Sequence, residues 1–94
     1  MVPDLSQING IKNYTTKSEK DRTIYYKGDK AFLVVNKNTI EIRCDNRLSH
    51  HLQEQYESVM ESRYFGRGGI EIVPTNQLSP SELRDLIRLS YDLS

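Results

Sequence analysis

Hydrophobic and polar positions alternate most regularly between residues 23 and 44, and this pattern predicts a β-meander. Residues 23–27 are rich in β-branched and aromatic side chains, which favour strands. Gly28 and Asp29 follow as a pair suited to a tight turn, because glycine tolerates positive φ. Residues 30–35 are apolar on both faces, so we expect this strand to lie centrally in a sheet. Its two faces are expected to carry Phe32 with Val34, and Ala31 with Leu33 and Val35.

A second turn at residues 36–38 leads into a strand over residues 39–44 whose side chains alternate cleanly. The apolar positions of this strand, expected to face the core, are Ile40, Ile42 and Cys44. Glu41 and Arg43 lie between them and are expected to face solvent. A further short strand is predicted over residues 69–74, where isoleucines again alternate with a glutamate. Together these segments predict an antiparallel sheet of about four strands.

Two amphipathic helices are predicted to pack against this sheet. Asp45 is placed to cap the first, which is expected to end near Met60 or Glu61. The apolar stripe of this helix is Leu48, Leu52, Tyr56 and Val59. The second helix begins with a capping box, in which Ser79 is the N-cap and Glu82 reaches back to it. The buried side of the second helix is expected to comprise Leu83, Leu86, Ile87 and Leu93.

The N-terminal 22 residues are the least regular part of the chain. Leu5, Ile8 and Ile11 recur at three-residue spacing, which allows a short amphipathic helix. Residues 15–22 are polar and charged, and we interpret them as a loop. The sequence therefore predicts one α+β domain over residues 1–94, with a short, poorly defined N-terminal segment.

The chain of 94 residues has a formal net charge of zero, from 13 basic and 13 acidic residues. The charge is uneven, because residues 1–50 carry a balance of +3 and residues 51–94 a balance of −3. A basic face is therefore compatible with the neutral total. Cys44 is the single cysteine, which excludes an intramolecular disulfide and fits a reducing, cytoplasmic location. No apolar run is long enough to predict a membrane span or a signal peptide.

Several segments, in order and spacing, resemble the MmcQ/YjbR family over roughly residues 23–94. They are Lys27-Gly28-Asp29-Lys30-Ala31-Phe32, Ile42-Arg43-Cys44-Asp45, Gln55-Tyr56-Glu57-Ser58-Val59, Leu78-Ser79-Pro80-Ser81-Glu82-Leu83, Leu86-Ile87 and Ser90-Tyr91-Asp92-Leu93. The resemblance implies an antiparallel sheet packed against helices, similar to frataxin-like topology. The family is commonly described as DNA-binding, through a double-wing surface made by its hairpins. DNA binding is therefore what the resemblance implies for this chain, and the net charge of zero predicts that such binding is weak and non-specific.

Two basic groups are candidate contacts for phosphates. In the glycine-rich turn over residues 63–69, arginines flank aromatics, so that arginine would bind phosphate while tyrosine stacks on a base or sugar. The alternative is a turn whose aromatics cover the sheet edge. The second group has a balance of +3 over residues 22–47, and an ordinary solvated sheet face is the favoured alternative for it. Its members are Arg22, Lys27, Lys30, Lys37, Arg43 and Arg47. The predicted nucleic-acid-binding residues are Arg63, Tyr64, Arg67, Lys27, Lys30 and Arg43.

Other chemistries have weaker support in the sequence. His50 and His51 are adjacent, so on a helix they point about 100° apart and do not readily share a metal with Cys44. No convergent acid, base and nucleophile is visible. We therefore expect no catalytic residue, no metal and no cofactor. An acidic helix edge would instead suit a basic protein partner, which keeps a protein-interaction or regulatory module as the alternative function. This edge comprises Glu54, Glu57 and Glu61.

Overall fold

The computed structural model describes residues 5–73 and 77–94, in which six antiparallel strands form one sheet. The strands are β1 (Thr15–Glu19), β2 (Arg22–Lys27), β3 (Lys30–Asn36), β4 (Ile40–Arg43), β5 (Val59–Ser62) and β6 (Gly66–Ile72). The helices are α1 (Asn46–Gln55) and α2 (Pro80–Leu93), and a 3₁₀ helix (Leu5–Gln7) precedes β1. The order across the sheet is β1-β2-β3-β4-β6-β5, which places β3 in the interior as predicted. The fold is α+β as expected, but the described sheet has six strands rather than about four.

The strand β1 forms where the sequence predicts a loop. Its five residues are polar and all are exposed, so no hydrophobic alternation marks it. It pairs with β2 residue by residue, from Thr15 opposite Tyr26 to Glu19 opposite Arg22. Backbone pairing with a neighbouring strand is therefore what holds β1 at the edge of the sheet.

The strand β5 forms where the sequence predicts the end of the first helix. That helix already ends at Gln55, and Tyr56 is extended, with φ −126° and ψ 124°. The Tyr56 amide still donates to the Leu52 carbonyl oxygen, at 2.9 Å, which closes the last turn. Val59 then pairs with Ile72 across β5 and β6. The predicted apolar stripe continued across this break because the helix and the strand face the same core.

The helices and the N-terminal segment all pack on one face of the sheet. The buried apolar side chains of this main core include Leu5, Ile8, Ile11, Phe32, Leu33, Ile40, Ile42, Cys44, Leu52, Val59, Ile70, Ile72, Leu78, Ile87 and Tyr91. The inward positions predicted for β4 and β6 are thus confirmed. Leu93, predicted to be buried, is 51% exposed, and Ser90 is buried in α2 instead.

A bulge in β3 breaks the predicted alternation of that strand. The register between β2 and β3 shifts at this point, so that β3 has one more residue than β2. As a result the adjacent Phe32 and Leu33 both enter the main core. Ala31 and Val34 pack instead with Ile24 on the opposite side of the sheet. The prediction that Phe32 and Val34 share a face is therefore wrong.

Both predicted helix caps are present. The Asp45 Oδ1 atom accepts a hydrogen bond from the Leu48 amide at 2.8 Å, at the start of α1. At the start of α2 the Ser79 hydroxyl accepts from the Glu82 amide, and the Glu82 carboxylate accepts from the Ser79 amide, both at 3.1 Å. These bonds satisfy amides that have no partner within their own helix.

Candidate nucleic-acid interface

The face of the sheet opposite the helices is called the open face below. One row of cross-strand partners runs across it from β1 to β5, because directly paired residues share a face. The row consists of Lys17, Ile24, Val34, Glu41, Glu71 and Met60. Its apolar part packs with Ala31, Tyr26 and Phe65. Two glutamates therefore lie side by side next to a small apolar cluster.

Glu41 is 2% exposed, so the prediction that it faces solvent is wrong. It does point away from the helices, as the alternation requires, but the loop between β5 and β6 covers it. Its Oε1 atom accepts hydrogen bonds from the Ser62 hydroxyl at 2.7 Å and the Tyr64 amide at 2.9 Å. Its Oε2 atom accepts from the Asn36 side-chain amide at 2.8 Å. Three donors thus replace the water that this carboxylate loses on burial.

Glu71, the cross-strand partner of Glu41, is 1% exposed and forms an ion pair with Arg63. Its carboxylate accepts from Arg63 in a bidentate arrangement, with Nε at 3.0 Å and Nη2 at 2.7 Å. The Thr39 hydroxyl also donates to it, at 2.7 Å. The hydrogen bonds from Arg63 hold the pKa of Glu71 below its usual value, and the same contact raises the pKa of Arg63.

Because of these bonds the loop between β5 and β6 lies folded over the open face. Gly66 begins β6 with φ +63°, a left-handed conformation that glycine adopts without a steric cost. The Arg22 guanidinium carbon lies 5.2 Å from the Tyr64 ring centre, and the Arg43 guanidinium carbon lies 4.8 Å from the Phe65 ring centre. The two rings meet edge to face at 4.9 Å. The four side chains form one continuous stack, called the arginine–aromatic stack below.

Three members of the arginine–aromatic stack each have a second contact. Arg22 pairs with Glu19 at 2.6 Å, which raises the pKa of Arg22. Arg43 donates from Nε to the Ala31 carbonyl oxygen at 2.7 Å, beside the bulge. Burial, followed by a hydrogen bond with Tyr26, raises the pKa of Tyr64, whose side chain stays 37% exposed. The guanidinium groups are therefore held in fixed positions rather than spread freely in solvent.

Two adjoining clefts open beside this stack. The first has a volume of about 350 Å³ and is lined by Arg22, Asn36, Glu41, Arg63 and Tyr64. The second, of about 380 Å³, shares Arg22, Asn36 and Arg63 with it and adds Asp21, Lys37, Asn38 and Thr39. Together they form one continuous depression between the β3–β4 turn and the β5–β6 loop, called the Arg22–Arg63 cleft below.

The structure brings only some of the predicted nucleic-acid-binding residues together. Arg43, Arg63 and Tyr64 meet on the open face. Arg67 is exposed on β6, and its spacing of four residues from Glu71 assigns it to the same face by strand alternation. Lys27 lies on the helix side, where its ammonium donates to the Tyr91 carbonyl oxygen at 3.2 Å and sits 4.6 Å from the Tyr91 ring centre. Lys30 is exposed and pairs with Lys27 in the β2–β3 hairpin. These two lysines are therefore separate from the arginine–aromatic stack.

The acidic edge predicted for the first helix does not exist as one helical face. Glu54 lies in α1, Glu57 in the turn that follows, and Glu61 in β5. All three are exposed, but they belong to three different elements. The acidic helix edge, which was the sequence feature favouring a basic protein partner, is therefore not formed by these three glutamates.

Glu41 and Glu71 are important residues of this site that the sequence does not predict, and Arg22 is predicted only as one member of the broad basic group over residues 22–47. One signal was available: the tripeptide Ile-Glu-Ile occurs twice, at residues 40–42 and 70–72. Each tripeptide predicts a glutamate on the face away from the core. Only the pairing of β4 with β6 brings the two glutamates together, and the sequence does not reveal that pairing.

Fold and site together define the class as an α+β protein with an arginine-rich, helix-free sheet face. Comparison of the chain with protein-family models, with curated proteins and with solved structures finds no match. The resemblance to the MmcQ/YjbR family therefore stays a prediction. Among residues 5–73 and 77–94, no helix is both long enough and apolar enough to cross a membrane.

Proposed function

We propose that this domain binds nucleic acid weakly and without sequence preference, through phosphate contacts made by the open face. The observation that carries the proposal is the arginine–aromatic stack, together with Arg63 beside it. Arginine presents planar donors that match phosphate oxygens, and a fixed guanidinium loses little freedom on binding. The resemblance to the MmcQ/YjbR family points to the same class of ligand.

Donors remain for a ligand on these arginines. Arg22 uses Nε for Glu19, and Arg43 uses Nε for the Ala31 carbonyl oxygen. Within the described part of the chain their terminal nitrogens have no hydrogen-bond partner. Arg63 is 78% exposed although its carboxylate partner is buried, so its outer edge faces solvent. Each group thus has one anchored side and one side free to meet a phosphate.

Weak, non-specific binding is expected from the charge of the chain. A formal net charge of zero provides no long-range field to concentrate DNA, so only local contacts contribute. A few phosphate contacts give dissociation constants of roughly 10⁻⁴–10⁻⁶ M at physiological salt. The arginines of the stack are held by aromatic rings, and phosphates carry no sequence information. The expected behaviour is therefore steep salt dependence with little preference among sequences.

Fluorescence anisotropy with a labelled duplex, over a range of salt concentrations, tests the proposal. Replacing Arg22 and Arg67 by glutamine should weaken binding and flatten the salt dependence, because each lost contact with duplex DNA changes the slope by about 0.9. Arg63 is a poor target, because replacing it with an acidic residue would place a third carboxylate beside those of the buried Glu41 and Glu71. Both chosen side chains lie outside the main core, so folding should be retained.

The matched control is Arg47→Gln, an exposed arginine on α1, on the helix side of the sheet. It changes the total charge by the same amount as one of the test substitutions but lies away from the open face. Binding that is absent at low salt would contradict the proposal and favour the protein-interaction alternative. Equal losses in the control and in the open-face variants would show that only net charge matters.

A further inference from the structure

From the geometry of the Arg22–Arg63 cleft we infer a discrete binding site for a phosphate monoester of a nucleoside. The inference rests on the proposed function in taking the ligand to be a nucleotide, and deepens it by naming the group that the cleft receives. The two volumes of about 350 and 380 Å³ fall in the range of small-molecule sites. A cleft of this size is much smaller than a DNA duplex, whose phosphates lie on a convex surface.

The lining of the cleft supplies donors from three sides. Arg22 projects from β2, Arg63 lies in the β5–β6 loop, and Lys37 and Asn38 form the β3–β4 turn. Within the described part of the chain, the side chains of Lys37 and Asn38 make no hydrogen bond, so both are available to a ligand. Glu71 positions Arg63 by accepting hydrogen bonds from the Arg63 Nε and Nη2 atoms. The Arg63 Nη1 atom remains for another acceptor.

The Glu41 carboxylate, which lines the cleft, does not compete with a ligand for the basic side chains there. Both oxygens of Glu41 already accept hydrogen bonds, from Ser62, Tyr64 and Asn36. Over the whole lining, three basic side chains face two acidic ones. Arg22 and Arg63 are also paired with carboxylates outside the lining, so the attraction to an anion comes from directed hydrogen bonds rather than from surplus charge. Several convergent donors suit a compact anion better than an extended strand.

A monoester fits this arrangement better than an internal phosphodiester. A monoester carries a charge near −2 at neutral pH and three terminal oxygens, whereas a diester carries −1 and two. It also ends a chain, so it can enter between two raised turns, whereas a diester would need room for a nucleotide on either side. Tyr64 lines the same cleft and offers an aromatic surface to the nucleoside.

Two sources can deliver this group, a free mononucleotide and the 5′-phosphorylated end of a single strand. The first experiment titrates ¹⁵N-labelled protein with adenosine monophosphate and with adenosine, following amide chemical shifts. The monophosphate should shift amides of residues 36–39 and 62–65, and adenosine should not. Arg22→Gln and Lys37→Gln should each weaken the monophosphate about tenfold, which is the order expected for loss of a charge-assisted contact. The control Arg47→Gln should have no effect.

The second experiment compares single-stranded oligonucleotides of one sequence with a 5′-phosphate or a 5′-hydroxyl. An affinity several-fold higher for the phosphorylated strand supports the inference and identifies strand ends as the source. Shifts with the monophosphate but no binding of either strand support the cleft with a free nucleotide as source, and contradict the proposed function. Shifts that are absent, or equal for monophosphate and adenosine, overturn the inference. If both strands then bind equally, the proposed function survives alone.

Discussion

Ser79 illustrates how one side chain starts an element. Its hydroxyl and the Glu82 carboxylate exchange hydrogen bonds with each other's amides at the start of α2. Replacing Ser79 with alanine should lower the free energy of unfolding by about 1 kcal/mol, because a helix amide loses its acceptor. Chemical denaturation measures the effect, with Ser81→Ala, an exposed neighbour in the same turn, as the control. A denaturation midpoint equal to that of the unchanged protein would refute this role.

Cys44 illustrates the opposite case, a reactive residue type held inert. Its thiol is buried beneath the helices, and this burial, followed by the neighbouring Asp45, raises the thiol pKa to about 11. The thiolate is the nucleophile, so the folded protein should react with iodoacetamide at pH 8 far more slowly than the unfolded protein. Labelling followed by mass spectrometry, with and without denaturant, tests this. Rapid labelling of the folded chain would contradict the inward position that both sequence and structure assign to Cys44.

At the scale of elements, the β3 bulge depends on a side chain from α2. The buried Ser90 hydroxyl donates to the Phe32 carbonyl oxygen and accepts from the Arg43 amide. It therefore ties the bulged strand to β4 and to the helix at a place where the regular ladder is interrupted.

Replacing Ser90 with alanine should destabilise the protein by about 1–3 kcal/mol, because two buried backbone groups lose their partner. Thermal or urea denaturation gives the value. The control is Ser94→Ala, whose hydroxyl contacts the Ala31 carbonyl oxygen at a longer 3.4 Å at the end of α2. If Ser90→Ala cost no more than Ser94→Ala, the bulge would not depend on this hydroxyl.

The sequence predicts the elements that are stabilised by local interactions and misses those that are stabilised by contacts distant in sequence. The caps of α1 and α2 and the alternation of β4 are local patterns, so they are visible without the fold. The polar strand β1 is held in the sheet by backbone pairing alone, so no apolar pattern predicts it. The apolar residues of β5 continue the spacing of those in α1, so the sequence shows no boundary between the two elements. The β3 bulge arises from contacts distant in sequence. These three features therefore require tertiary structure, which periodicity does not supply.

At the scale of the whole molecule, the sequence likewise predicts the part of the candidate site that rests on local patterns and misses the part that depends on the fold. The glycine-rich turn correctly drew attention to Arg63 and Tyr64, because arginines beside aromatics are a local signal. Charge alone predicts Lys27 for the same site, and the fold places it on the other side of the sheet. The sequence predicts Arg22 only as part of a broad basic group, because its proximity to Tyr64 depends on the sheet order.

The buried Glu71 carboxylate makes the stability of the open face dependent on acid. The pKa of Glu71 is lowered in the folded state, so its contribution is fully present above the unfolded value of 4.5. Stability should fall as the pH decreases from there through the lower folded pKa. Denaturation midpoints at pH 7, 5 and 3 measure this loss. In Glu71→Gln the loss between pH 5 and pH 3 should be smaller, and an unchanged profile would contradict the role of the ion pair.

The row that contains Glu41 and Glu71 also bears on how accurately the strands find one another. Because side chains alternate, sliding β4 or β6 by one position would turn its glutamate inward beneath the helices and its isoleucines out to water. The misaligned sheet would have to bury the carboxylate without the hydrogen-bond donors that it has in the native sheet, or protonate it, and either is costly. The two Ile-Glu-Ile tripeptides thereby disfavour pairing of β4 and β6 in a shifted register, whereas a purely apolar pair of strands would not.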